Sequence, residues 1–342
     1  MTVSISGSLG VTFPDSSLQT GAASPYVTKN RLVNGSFAID QRNAGASQTF
    51  TAAAAVAYTV DRWYGSCTGA NITGQRVAGT SPNQYAYKFT GAASNTGTLF
   101  GQRIESFNTY DLISTTVTGS VTLKSSSITS VTWTAYYANS SDTFSSKTSI
   151  ATGTLTINST ATRYSFSFDA GANAGNGIAI EFTTGALTAT NTLQYENAQI
   201  EVGSSATPFE RRLYNQELAA CQRYFETNFS GVTIPTNNYS YYSIAIVGSN
   251  TYAGGAGASQ QIVGPFTYRV TKRASPTVTI YSWSSSSTER VSNGWTGADF
   301  AANSGKLNIS GYDGFSFYNN SGSNITTGGY SLIFNYTASA EL

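Results

Sequence analysis

Apolar and polar residues alternate with a period of two along much of this chain, in runs that rarely exceed ten residues. TGSVTLKS (118–125), ITSVTWTAYYA (128–138), GTLTIN (153–158), RYSFSFDA (163–170), GIAIEFTTG (177–185) and LQYENAQIEVG (193–203) follow this pattern, which marks half-buried strands. In RYSFSFDA the inward set is Tyr164, Phe166 and Phe168, with Ser165, Ser167 and Asp169 outward. These runs recur about every ten to fifteen residues without intervening helices, so residues 29–211 are expected to form a two-sheet sandwich. YYSIAIVG (241–248), PFTYRVTK (265–272), PTVTIYSW (276–283), KLNIS (306–310), GFSFYN (314–319) and YSLIFNYTA (330–338) repeat the pattern and predict a second, smaller β-sandwich or barrel over 227–342. The final strand there runs almost to the last residue, which should tie that end down.

One stretch breaks the period. NQELAACQRYFE (215–226) places Leu218, Cys221 and Phe225 on one stripe, with Asn215 able to cap and Glu217 in the first turn, and predicts a helix joining the two sandwiches within 212–226. Residues 1–28 form a Gly/Ser/Thr-rich leader with an apolar island at Leu9, Val11 and Phe13 and a turn at Pro14-Asp15. Such a segment suits a strand that pairs with a partner chain or a neighbouring protein, or a disordered tail. The fold class read from the pattern is all-β: two sandwich or jelly-roll-like domains, one short helix and an extended N-terminal leader.

Composition sharpens this picture. Aromatics reach 13% while charged residues are only 10%, with 33 Gly and one Met, a balance that favours strands and turns over helices. The net charge of +1 and the lack of any basic stripe exclude nucleic acid as an expected partner. MTVSISGSLGVTF has neither a charged start nor an apolar core of signal length, and no stretch approaches a membrane span. Membrane insertion is therefore not expected. Cys67 and Cys221 lie far apart in no metal spacing and read as buried reduced thiols.

Histidine is absent, which removes Ser-His-Asp and Cys-His systems and His-based zinc sites. No cofactor or metal is expected. Paired carboxylates remain, and the close sets are Glu196 with Glu201 and Glu210 with Glu217. In a regular strand, residues 196 and 201 face opposite sides, which does not suit a glycosidase pair. No catalytic residue is assigned.

GVTFPDSSLQT (10–20) resembles a tag common in bacteriophage tail-fibre and related virion proteins. NRLVNGSFAIDQR (30–42) followed by YTVDRW (58–63) resembles the opening of their carbohydrate-binding-like jelly roll, departing from it at RNAGAS (42–47), where Arg-Gly is usual. QIEVGSSATPFERRLYNQELAACQRYFE (199–226) resembles the exit of that jelly roll, and FNYTASAEL (334–342) the end of the distal domain. The resemblance implies a jelly roll similar to family 4/9 carbohydrate-binding modules, a trimeric homo-oligomer, other virion proteins as partners, and a place in the virion after assembly in the host cytoplasm. Read as residues alone, Asn34-Gly35 can make a turn, Asp61 and Arg62 can pair at a strand end, and Trp63 suits a core.

Three functions compete on this evidence. In the first, a non-enzymatic fibre protein touches a host surface glycan through exposed rings, with Tyr239, Tyr241, Tyr242, Trp283, Trp295 and Tyr312 as candidates, and attaches or oligomerises through Leu9, Val11, Phe13, Pro14 and Asp15. In the second the chain decorates a capsid or forms a head fibre; in the third it is a polysaccharide depolymerase, for which neither β-helix coils nor an acidic cleft is evident. Sparse charge predicts binding that tolerates moderate salt. Removing residues from about 227 onward is expected to abolish host attachment while the first sandwich stays folded.

Overall fold

The computed structural model describes residues 28–229, 235–237, 244–247, 251–253, 261–293, 297–299, 305–319 and 331–342, together with the backbone of three short strands in the leader. Those strands, β1 (Ser4–Ser6), β2 (Gly10–Thr12) and β3 (Leu18–Gln19), form their own antiparallel sheet in the order β1-β2-β3. Val11 pairs with Ile5 on one side and Gln19 on the other. The three described leader strands thus pair with one another.

From Gln48 onward twelve strands build the first sandwich. They are β4 (Gln48–Phe50), β5 (Ala57–Tyr58), β6 (Trp63–Thr68), β7 (Ile72–Ala78), β8 (Tyr85–Thr90), β9 (Gly97–Ile104), β10 (Thr116–Ser125), β11 (Ser130–Ser140), β12 (Thr143–Thr156), β13 (Thr162–Asp169), β14 (Ile178–Thr184) and β15 (Thr192–Val202). One sheet has the order β13-β10-β15-β8-β7-β4 and the other β12-β11-β14-β9-β6-β5, six strands each. The chain crosses repeatedly from one sheet to the other and every pairing is antiparallel, which is the jelly-roll pattern.

Between the sheets lies one aromatic core. Trp63 stacks on Phe100 at 4.8 Å, Tyr87 stacks on Phe100 at 4.9 Å, and Trp133 stacks on Phe166 at 4.2 Å. Phe166 and Phe168 point inward and Ser165, Ser167 and Asp169 outward, as the alternation predicts. Opposite Phe166 the facing strand carries Gly119, where a Cβ would fall 2.2 Å from the ring. Only a glycine lets that ring lie flat.

After the sandwich comes α1 (Tyr214–Gln222), then β16 (Phe225–Thr227). The helix is shorter than its sequence predicts. Leu213, not Asn215, occupies the N-cap and makes no side-chain cap bond, and Phe225 belongs to a strand instead of the helical stripe. The helix instead buries Glu217, Cys221 and Gln222. Tertiary anchoring has overridden the local apolar pattern.

The remaining strands are β17 (Ile244–Val247), β18 (Thr251–Ala253), β19 (Gln261–Thr267), β20 (Thr277–Ser282), β21 (Ser292–Asn293), β22 (Lys306–Ser310), β23 (Gly314–Asn319) and β24 (Ser331–Ser339). β24 is the spine of one sheet, pairing with β16, β17, β20 and β21. The other sheet has the order β18-β19-β23-β22. A second core, including Ile280, Phe315, Phe317, Leu332, Phe334 and Tyr336, lies among them. The strand expected at 265–272 ends at Thr267, because Lys272 turns inward to an ion pair with Glu226 at 2.6 Å, both side chains fully buried.

Candidate functional site

The residues of the Asn-Gly, Gln-Arg and Asp-Arg-Trp motifs converge where the first sandwich, α1 and β16 meet. Asn34, at φ 58°, donates to the carbonyls of Ile39 (2.8 Å) and Asp61 (3.0 Å), and its amide bonds the Glu217 carboxylate on α1. Gly35 accepts from Ala198 N at 2.9 Å, and a Cβ there would meet the Ala198 carbonyl at 2.1 Å. Trp63 is fully buried and its indole N–H bonds Asn34 O at 3.0 Å. Gln41 reaches Asp61 Oδ2 at 2.5 Å and Phe225 O at 2.9 Å. These groups consume one another's polar capacity, so the motif holds structure instead of presenting a ligand surface.

Asp61 and Arg62 do not pair with each other. Arg62 sits at φ 73°, which swings its guanidinium away from its neighbour to Glu341, with the Tyr224 ring 3.5 Å from its Cζ. Arg42 also pairs with Glu341, at 2.9 Å. Tyr58 Oη and Arg103 both donate to Leu342 O. Residues 340–342 are clamped onto the sandwich, in agreement with the expectation of a tied-down end.

The carboxylate pairs fall out differently from a regular strand. Opposite the step from Ser120 to Thr122, β15 carries a bulge with Asn197 at φ 46°, so Tyr195, Ala198 and Ile200 join the core while Glu196 and Glu201 project from the same outer face. Regular alternation places them on opposite faces; the extra residue corrects that. Both are locked by loops. Glu196 accepts from Thr80 N, Thr80 Oγ1, Asn83 Nδ2 and Gln194 Nε2, and Glu201 from Thr207 N, Thr207 Oγ1 and Gln199 Nε2. Glu210 caps the amides of Lys29 and Asn30, and Glu217 holds Asn34 and Arg212. Four acids that could suggest acid–base chemistry are structural anchors. Among the described residues no group of three or more His, Cys, Asp or Glu is placed to hold a metal, Cys67 and Cys221 are free and buried, and no helix is long and apolar enough to cross a membrane.

The ring candidates in the distal part are only partly placed. Trp283 is half-buried beside Gly297. Tyr312 is 57% exposed in the turn between β22 and β23. Tyr239, Tyr241, Tyr242 and Trp295 lie outside the described residues, as do Leu9, Phe13, Pro14 and Asp15; Val11 is placed by its backbone alone.

A cavity that pattern reading misses opens on the first sandwich, with a volume of about 510 Å³. Asn30, Arg31, Asn108, Glu210, Arg211, Arg212 and Gln216 are among the residues that line it, drawn from the segment before β4, the turn between β9 and β10, the loop after β15, and α1. The size falls within the range of small-molecule sites, roughly 300–1,000 Å³. The segments that line it also carry Phe107, Tyr110, Leu213 and Tyr214, exposed by 84%, 74%, 73% and 62%. Several exposed large side chains on the segments that line one cavity are informative where a single exposed one is not. Their signal in the sequence is aromatic residues among Asn, Gln and Arg in stretches without period, SFNTYDL (106–112) and RRLYNQ (211–216).

No family model matches the sequence, and no curated protein matches it. Solved structures do. TmCBM61 in complex with β-1,4-galactotriose is 11% identical over 52% of this chain and 100% of its own, with a TM-score of 0.33. The family 11 carbohydrate-binding module from Clostridium thermocellum, in complex with a β-1,3-1,4-mixed-linked tetrasaccharide, is 13% identical over 47% of this chain and 98% of its own, with a TM-score of 0.31. The enzymatically active domain of bacteriophage CBA120 tailspike protein 4 is 12% identical over 51% of this chain and 21% of its own, with a TM-score of 0.32.

Proposed function

We propose that this protein is a non-catalytic structural component of a bacteriophage particle, of the tail-fibre type, and that it binds a host surface glycan in the cavity beside α1. The observation that carries the binding is the cavity itself, about 510 Å³ and lined by amide and guanidinium side chains together with the Glu210 carboxylate, with Phe107, Tyr110 and Tyr214 exposed on its bordering segments. Flat rings stack on sugar faces while neutral polar groups bond hydroxyls. The virion assignment rests on the motif resemblance and includes the trimer, the leader of residues 1–28 as the attachment end, a jelly roll of 29–211, a connector over 212–226 and a distal domain of 227–342.

Calorimetric titration with polysaccharide extracted from the host envelope tests the binding. Wild type should bind without releasing reducing sugar, and Tyr110→Ala combined with Tyr214→Ala should weaken binding about tenfold. Full affinity in that double variant would overturn the site. The exposure of Tyr312 favours a second reading, a distal site, and loss of binding in Tyr312→Ala alone would establish it. Light scattering should give about three times the 36.1 kDa chain mass, and labelled antibody should mark the tail in electron micrographs; a monomer, or label on the head, overturns those parts.

A further inference from the structure

We infer that the glycan held in the cavity is acidic, and that Arg211 receives its sugar carboxylate; the inference rests on the cavity being the glycan site. Three arginines line the cavity, and two are already engaged. Arg31 Nη2 lies 2.5 Å from Asp111. Arg212 lies 3.3 Å from Glu217 and 4.0 Å from Glu210, and donates to the carbonyls of Leu32 and Asn30. Both are largely buried, so they shape the wall.

Arg211 is different. It is exposed and meets no carboxylate among the described residues; its contacts are one hydrogen bond to Asn83 Oδ1 at 3.0 Å and the Phe209 ring, 5.9 Å from its Cζ. The Asn83 oxygen is shared with Asn197 Nδ2 at 2.5 Å, so Arg211 takes only part of an acceptor. A guanidinium has five donors in a planar fork that matches a carboxylate, and one of the five is used. Glu210 also lines the cavity, but its carboxylate is committed to the backbone amides of Lys29 and Asn30 at 3.1 and 2.8 Å. The cavity lining therefore combines an unmatched positive fork at Arg211 with the Gln216 amide, and the segments that line it carry exposed rings. A uronic or sialic acid unit offers the complement: a planar carboxylate, hydroxyls and an apolar ring face.

The test pairs each acidic probe with its neutral counterpart on the full chain: an oligogalacturonide against its carboxyl-reduced form, and sialyllactose against lactose. Wild type should bind at least one acidic probe about tenfold more tightly than its partner. Arg211→Gln should erase that difference, the loss falling on the acidic probe, and Arg211→Lys should restore only part of it. Equal binding of acidic and neutral probes, weakened by Tyr110→Ala, would overturn the acidic preference and leave the glycan site standing. If host polysaccharide binds but no acidic probe does, the inference also falls. If neither host polysaccharide nor any probe binds, the glycan reading itself falls with it.

Discussion

Asp61 has no exposed surface, and among the described residues its carboxylate is held by Gln41, through the backbone N–H at 3.1 Å and the side-chain amide at 2.5 Å. Burial pushes its pKa up to about 7, against the opposing pull of Arg42 and the Gln41 bond. The folded state therefore holds this proton more tightly than the unfolded chain. Stability from the group is fully present in acid, below the ordinary carboxylate range, and is lost as pH rises through about 7, by on the order of 4 kcal/mol. Asp299 runs the other way: burial opposes its charge, but hydroxyl bonds from Ser282, Ser285, Ser292 and Ser284 together hold its pKa down, so its contribution is lost on acidification. Asp61→Asn should flatten the decline in urea-unfolding free energy between about pH 4 and pH 7, whatever it does to the absolute value. An unchanged slope would show that Asp61 titrates alike in both states. None of this was legible locally. Neighbouring Asp61 and Arg62 invite a pair, and the left-handed turn at Arg62 that separates them is dictated by a partner 279 residues away.

At the scale of elements, period two sufficed wherever a strand has one polar face. The six runs between 118 and 203 overlap β10 to β15, and KLNIS and GFSFYN coincide with β22 and β23. The pattern was silent for β4 to β9, where Tyr64 is as buried as Trp63 beside it because Tyr58, Arg103 and Glu181 cover it. Alternation also cannot announce a bulge, which is why the shared face of Glu196 and Glu201 had to be seen. Gly119 tests how firmly β10 and β13 are fitted. An alanine methyl would press on Phe166, which is already stacked 4.2 Å from Trp133 and has little space to retreat. Gly119→Ala should cost about 1–3 kcal/mol by overpacking, seen as a lower urea midpoint at constant slope. A cost under roughly 0.5 kcal/mol, the range of ordinary surface changes, would mean the ring moves freely.

On the scale of the whole molecule, two cores are joined by a buried polar clamp, and this alters what a truncation would do. The sequence leads one to expect that the first sandwich survives without residues beyond 227. The structure places Glu341 against Arg62, whose side chain is 1% exposed, and against Arg42, while Arg273 fixes the same segment by donating to Ala340 O and Glu341 O. Taking Glu341 away leaves a guanidinium in a desolvated position with only the Arg103 carbonyl and the Tyr224 ring to face. Stripping one partner from a buried pair costs about 3–5 kcal/mol, a large share of a domain's stability. Glu341→Ala should therefore lower the first unfolding temperature seen by scanning calorimetry and split one cooperative transition into two, as each core melts by itself. Glu341→Gln, which keeps the shape and loses the charge, should fall between wild type and alanine. Deleting residues 227–342 should destabilise the sandwich at least as much as Glu341→Ala does. If Glu341→Ala melts in a single transition at the wild-type temperature, the clamp carries no coupling and the two cores are independent after all.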